Sequence, residues 1–426
     1  LYILLEIYKN KGDEMREVEL LAPAGDLEKL KIAFEYGADA VYIGGEIFGM
    51  RSAAKNFTKD NMIEGVNFAH EKGKKVFVTC NIIPRSEDLQ VLRDYLIELE
   101  EIGVDAVIVS DPGVFKIVKE TIPNMEVHIS TQASTTNHVA ANFWYNKGAQ
   151  RIVTARELSF EETKEIREHI PQDMDIEAFV HGAMCMSYSG KCTISNYTTG
   201  RDANKGSCAQ SCRWKYTLME ENKGEYTPVV EDIDPEFFFN TKDLCMIKYI
   251  PQIFESGITS LKIEGRMKTA YYVATTVRAY RMAIDEYYKD PENWKFNPVW
   301  LEELKKGSHR DYSTGFFLNR PDENSNNYES ASYIRNYDFI GLVKGYEEET
   351  GLYIVEQRNK MYVGDKIEVI GPFKDTMFTV IEEMYDEEGS PIESAPHARQ
   401  IVKMKVGIKL EKNYILRKPI EKARIL

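Results

Sequence analysis

"VELLAPAGDLEKLKIAFEYGADAVYIGG", residues 18–45, decides the fold. Two short apolar runs, 18–25 and 40–45, flank an amphipathic stretch that carries Leu27, Leu30, Ile32 and Phe34. A short run that is apolar on both faces reads as a strand buried in a parallel sheet. Apolar residues spaced three to four apart read as a helix packed on one side.

That strand-then-helix rhythm continues to about residue 285. Further runs are "KVFVTCN" (75–81), "AVIVSD" (106–111), "EVHISTQ" (126–132), "RIVTAR" (151–156), "DIEAFVHGA" (175–183) and "SLKIEG" (260–265). Between the third and fourth, "SEDLQVLRDYLIELEEIG" predicts a helix capped at Ser86 and ended by Gly103. Eight strands predict a (β/α)8 TIM-type barrel. An open doubly wound sheet gives the same alternation, but no G-x-G-x-x-G follows the first strand, which weakens a dinucleotide-binding version.

The rhythm breaks once, at a Cys-rich insertion over 184–259 after the seventh strand. It holds a hairpin pattern, "KYTLMEENKGEYTPVVED" (215–232), and a predicted helix near "TKDLCMIKYIPQIFESG" (241–257). In a barrel this insertion emerges on the C-terminal face, where active sites are built. The expected boundaries are an N-terminal extension over 1–14, the barrel over 15–290 and a linker-rich, helical transition over 291–336. Short alternating strands over 337–426 then predict a small C-terminal β-barrel. Within it, "GLVKGYEEETGLYIVEQRNKMYVGDKIEVIGP" resembles the β-barrel second domain of translation elongation factors.

Composition narrows the class. The chain has 426 residues, 43% hydrophobic and 29% charged, enough for two or three domains. Its six cysteines are too sparse for a secreted disulfide scaffold. No apolar run reaches the roughly 18–20 residues of a membrane span. The start lacks a basic n-region and a small-residue cleavage site, so no signal peptide and no membrane partner are expected, and the cytoplasm is the predicted compartment. A net charge of −14 argues against broad coating of nucleic acid. Yet residues 181–216 carry Lys191, Arg201, Lys205, Arg213 and Lys215 against Asp202 alone, a cationic island on an acidic protein.

That island, "HGAMCMSYSGKCTISNYTTGRDANKGSCAQSCRW" (181–214), holds four of the cysteines; Cys245 follows it, and Cys80 ends the third strand. A single cysteine is usually a small buried hydrophobe, but several in one polar loop read as soft metal ligands. Only Cys208 and Cys212 have knuckle spacing, and no histidine lies between Cys185 and Cys245, which disfavours a zinc site. Wider spacing suits an iron–sulfur cluster, whose irons accept thiolates from several directions. Glu177, His181 and Cys185 stand at i, i+4 and i+8. On a strand the first two share a face about 13 Å apart, too far for a hydrogen bond. With no H-E-x-x-H or G-x-S-x-G in the chain, a peptidase mechanism is weakly supported.

"EAFVHGAMCMSYSGKCTIS" resembles the signature of peptidase family U32, and "PAGDLEKLKIAFEYGADAVYIGG", "RSAAKNF", "ISTQAS" and "LKIEGRMK" match its usual segments. The resemblance runs from about residue 17 to the C-terminal barrel and is nearest the prephenate-dependent tRNA-hydroxylating members. It implies a tRNA hydroxylase that makes 5-hydroxyuridine at the wobble position, with a 4Fe–4S cluster and prephenate as oxygen source. The ligands by motif are Cys185, Cys192, Cys208 and Cys245, with Cys212 a fifth candidate. Around them, Arg51, Arg156, Lys262 and Arg266 end predicted strands and suit the two carboxylates of prephenate. Glu264, Asp111, His181 and Glu177 are the expected groups for positioning substrate and moving protons. Tyr197, Arg201, Arg213 and Trp214, beside Tyr188, are the expected RNA contacts. Tyrosines packed over the cluster are the competing reading for that loop. The rival readings are a U32-type peptidase, an iron–sulfur subunit of oxygen-independent quinone or rRNA hydroxylation, and a non-catalytic zinc-stabilised binding protein. A homo-oligomer or a pairing with a paralogous U32 chain is the expected assembly.

Overall fold

The computed structural model describes residues 17–50, 56–216, 219–222, 225–228, 239–322 and 325–425. Eight parallel strands close into a barrel: β1 (Glu19–Pro23), β2 (Ala40–Ile43), β3 (Lys75–Cys80), β4 (Ala106–Val109), β5 (Glu126–Ile129), β6 (Arg151–Val153), β7 (Asp175–Ala183) and β11 (Ser260–Ile263). Closure comes from β11, which pairs in parallel with both β7 and β1. The doubly wound alternative is thereby excluded.

Helices follow most strands: α1 (Leu27–Glu35), α2 (Lys59–His70), α3 (Leu92–Ile102), α4 (Pro112–Thr121), α5 (His138–Asn146) and α6 (Phe160–Glu168). Polar caps start most of them. Asp26, Thr58, Asp111 and Asn137 each accept a backbone N–H in the first turn, and Ser159 with Glu162 forms a reciprocal capping box. At α3 the expected cap is wrong. A 3-10 turn over Asp88–Val91 precedes the helix, because Asp88 accepts the Arg85 N–H instead and Lys205 reaches over from the insertion to pair with it. Gly103 does end α3, at φ 83, the left-handed region glycine tolerates.

The barrel interior is partly charged. Leu21, Ala40, Tyr42, Phe77, Ala106 and Ile108 form its apolar cluster. Beside them Arg151 is buried among Glu19, Asp175 and Glu177, and Lys262 Nζ lies 2.5 Å from Glu177 Oε1. Burying these charges is tolerable only because each has a partner.

In the insertion, α7 (Ile194–Thr199) and short 3-10 turns frame the cysteines: Cys212 lies in the turn Ser211–Arg213, and Cys185, Cys192 and Cys208 lie in the irregular chain between elements. The expected hairpin pairs β8 (Met219–Asn222) with β9 (Glu225–Pro228). The helix expected near 241–257 is shorter than predicted. Asp243–Cys245 is a strand, β10, antiparallel to β7, and α8 runs only from Ile250 to Glu255. After β11, α9 (Ala270–Lys289) and α10 (Pro298–Lys306) pack together, and β12 (Tyr312–Ser313) adds to β10.

The C-terminal strands close a second, antiparallel barrel: β13 (Ile334–Glu347), β14 (Leu352–Gln357), β16 (Lys366–Ile370), β17 (Met377–Tyr385), β19 (Ile401–Val406) and β20 (Ile415–Ile425). The short strands β15 (Met361–Tyr362) and β18 (Ser394–Ala395) pair beside it. Its core shares residues with the first barrel's packing, and Tyr36 at the end of α1 donates to the carbonyls of Ile370 or Asn413, both 3.0 Å away. Among the described residues no helix is long and apolar enough to cross a membrane.

Candidate active site: a thiol-lined cavity joined to the barrel mouth

Four thiols share one cavity. Cys185, Cys192, Cys208 and Cys212 all line a space of about 230 Å³ between the insertion and the C-terminal end of the barrel. Burial pushes the Cys212 thiol up to about 11, and the other three cysteines add to that push. Each thiol sits on backbone that is tied down. Asn204 accepts the Cys192 N–H and donates to the Cys192 carbonyl, while its own carbonyl takes the Ile83 N–H below. Arg201 donates to the carbonyls of Ser207 and Cys208. Arg213 donates to the carbonyls of Met184 and Thr241 and to Asn240 Oδ1, which fastens Cys212 to the segment just before Cys185.

Both guanidiniums therefore help to hold the irregular insertion together, and Arg201 is at the same time exposed. Tyr197, 89% exposed, and Trp214, 43% exposed, do face solvent, as does Tyr188.

The structure separates Cys245 from the other thiols. It is buried on β10, opposite His181 of β7, outside the cavity, and burial pushes its thiol up to about 12. Cys212, the fifth candidate, lines the cavity with Cys185, Cys192 and Cys208, whereas Cys245, the fourth ligand by motif, is not among its lining residues. Cys80 is buried at the end of β3 and is likewise pushed up to about 12. Four soft donors in one cavity suit a soft metal or a cluster. Among the described residues no three His, Cys, Asp or Glu groups stand as one ion requires. A cluster spreads its thiolates over several irons and tolerates the wider spacing. Arg156, Arg213, Lys268 and Arg310 also line this cavity, against the single carboxylate of Glu264, so its walls are cationic and suit an anionic occupant.

A second cavity, about 70 Å³, fills the barrel mouth and shares Met50, Thr131, Gln132, Arg156 and Glu264 with the first. Three of the four predicted substrate cations line it; Arg51 lies outside the described residues. Arg156 stacks on Phe179 at 4.1 Å and donates to the Ala183 carbonyl, while its Nε has no partner. Arg266 donates to Thr79 Oγ1 and Asn56 Oδ1. Lys262 is committed to Glu177, so its charge serves the barrel interior first. The Tyr42 hydroxyl donates to the Ile263 carbonyl at 3.0 Å or to Glu264 Oε2 at 3.2 Å.

Glu177, His181 and Asp111 do not meet at this site. Glu177 is fully buried and salt-bridged beneath the mouth. A register shift between Lys262 and Ile263 interrupts the alternation, so His181 does not share a face with Glu177. Its ring is packed among Tyr272, Tyr280 and Tyr312, where burial holds it neutral and lowers its pKa to about 3. Gly182, at φ +106, follows because a Cβ there would come within 2.5 Å of the Glu264 carbonyl oxygen. Asp111 stands at a strand end but caps α4. Sequence reading missed Asn81, Thr131, Gln132 and Asn204; the first three directly follow strands β3 and β5, which was their available signal.

Comparison with known proteins agrees with this architecture. Residues 25–327 match the family model "Peptidase family U32", and residues 335–417 match that family's C-terminal domain. The chain is 45% identical over 403 residues to "tRNA hydroxylation protein P1" of Bacillus subtilis, covering 95% of each chain. It is 36% identical over 443 residues to "tRNA hydroxylation protein P" of Escherichia coli, covering 94% of this chain and 96% of the relative. A protein of Methanocaldococcus jannaschii described as an uncharacterized protease is 40% identical over 380 residues, covering 86% of this chain and 90% of the relative. The chain belongs to peptidase family U32.

Proposed function

We propose that this protein is an RNA-modifying enzyme that hydroxylates a tRNA uridine, making 5-hydroxyuridine at the wobble position. A 4Fe–4S cluster is held by Cys185, Cys192, Cys208 and Cys212, and prephenate is the oxygen donor. One observation carries the reading: the four-thiol cavity lies against a cationic pocket at the barrel mouth, with Arg156 and Glu264 lining both. The names of the Bacillus and Escherichia relatives support hydroxylation of tRNA.

When bound, the cluster supplies one-electron redox capacity that no side chain here offers. Arg156 and Arg266 neutralise the carboxylates of the donor and orient it. Glu264, within reach of the Tyr42 hydroxyl in the wall of both cavities, is the group placed to hold or move a proton beside it. Tyr197 and Trp214, exposed around the thiol loop, offer stacking surfaces for unpaired bases.

The peptidase reading draws on the family name and the Methanocaldococcus relative. Against it, Glu177 is neutralised by Arg151 and Lys262, and His181 is sealed among tyrosines away from Cys185.

Two measurements test the proposal. Protein purified without oxygen should contain iron and acid-labile sulfide near four of each per chain. Colourless protein with one equivalent of zinc would overturn the cluster. Nucleoside mass spectrometry of tRNA from a strain lacking this protein and any paralogue should show loss of 5-hydroxyuridine, restored by this chain; unchanged levels would overturn the substrate.

A further inference from the structure

Two side-chain oxygens in the mouth cavity have no donor. Asn81, just after β3, donates its Nδ2 to Ser130 Oγ at 3.1 Å, and the same Oγ accepts the Gln132 backbone N–H at 3.3 Å. Asn81 Oδ1 and Gln132 Oε1 are then both buried without a hydrogen-bond partner. Native proteins rarely leave such atoms unsatisfied, and where they do a ligand or catalytic role is a standard reason. Gln132 is only 8% exposed and lies in the wall common to both cavities. Its Nε2 packs towards the cysteine loop, where a Cβ on Gly190 would stand 3.0 Å away. Across the same cavity, Arg156 Nε is a buried donor without an acceptor.

Unused acceptors and an unused cationic donor in one small space describe a complementary molecule. It carries an anionic oxygen for the arginine and a donating hydrogen for the amides. An amine would meet the second requirement, but with Lys262 paired to Glu177, Arg156 and Arg266 still outnumber the carboxylate of Glu264 on the same walls, which disfavours a cation there by repulsion. A neutral hydroxyl does not suffer that repulsion.

We propose that Gln132, with Asn81 beside it, is a specificity residue that accepts a hydrogen bond from a hydroxyl of the small carboxylate held by Arg156. The pocket therefore takes hydroxy acids in preference to the same acids lacking the hydroxyl. This rests on reading the mouth cavity as a carboxylate site.

The test is calorimetric titration of the full chain with 4-hydroxyphenylpyruvate and phenylpyruvate, which differ by one hydroxyl, with prephenate alongside. The hydroxylated acid should bind about tenfold tighter, the discrimination expected when a buried acceptor is otherwise left unpaired. Gln132→Met should reduce that gap to less than about twofold, by weakening the hydroxylated acid more than phenylpyruvate. Arg156→Gln should weaken both acids. Equal binding of the two acids to the unmodified chain overturns the hydroxyl reading and leaves the carboxylate site standing. Failure of all three acids to bind overturns both. The comparison on the unmodified chain stands even if a variant does not fold.

Discussion

His181 shows how a reactive residue type becomes a structural one. It is buried among three tyrosines, and desolvation lowers its pKa to about 3; the nearby Asp243 opposes that shift, while His309 and Lys268 add to it. The unfolded chain binds a proton at this residue near pH 6.5, while the folded chain refuses it until about pH 3. Stability is therefore full above pH 6.5 and is lost as pH falls through the window from 6.5 to 3. By pH 5 the expected loss from this residue is about 2 kcal/mol. Buried His128 and His309, both lowered by desolvation, act in the same direction. Urea unfolding at pH 7 and pH 5 should show the loss, and His181→Gln should flatten the slope by about one proton. The cysteines give a second prediction at this scale. Cys212→Ala should strip most of the iron from anaerobically purified protein, whereas Cys245→Ala should retain it and cost about 1 kcal/mol of stability. Iron retained by the first variant and lost by the second would restore the motif-based assignment.

At the scale of elements, the shift in β7 decides what the His-Gly pair does. Without it Glu177 and His181 would share the interior; with it they are divided between a charged barrel core and a pocket of tyrosines. Gly182→Ala should destabilise the fold by about 2 kcal/mol or more, from a positive φ and a backbone clash together, as read from the urea midpoint. In the insertion, Asn204 brackets Cys192 and connects it to Ile83. Asn204→Ala should lower bound iron several-fold while leaving the midpoint of the barrel's unfolding within about 1 kcal/mol, because the loop contributes little to the barrel core. The strands were legible because most of their residues are apolar on both faces, and the paired charges of Glu19, Arg151, Glu177 and Lys262 are too few to break the runs. The cap of α3 was not, because Asp88 answers to Lys205 more than a hundred residues away.

The whole molecule is joined through a buried ion network. Arg417 on β20 of the small barrel is fully buried and pairs with Glu303 of α10 and Glu368 of β16; Arg278 and Lys306 complete the set. Arg417→Met removes one partner and leaves buried carboxylates undercompensated, at a cost of about 3 kcal/mol measured by denaturant unfolding. The sequence by itself determined the two barrels, the placing of the insertion after the seventh strand and the set of thiols, because burial pattern and spacing are local properties. Tertiary structure alone decided which thiols share a cavity, which cations line the barrel mouth and which amides are left without a donor. Those outcomes depend on the distance between segments far apart in the chain, and no local pattern encodes that distance.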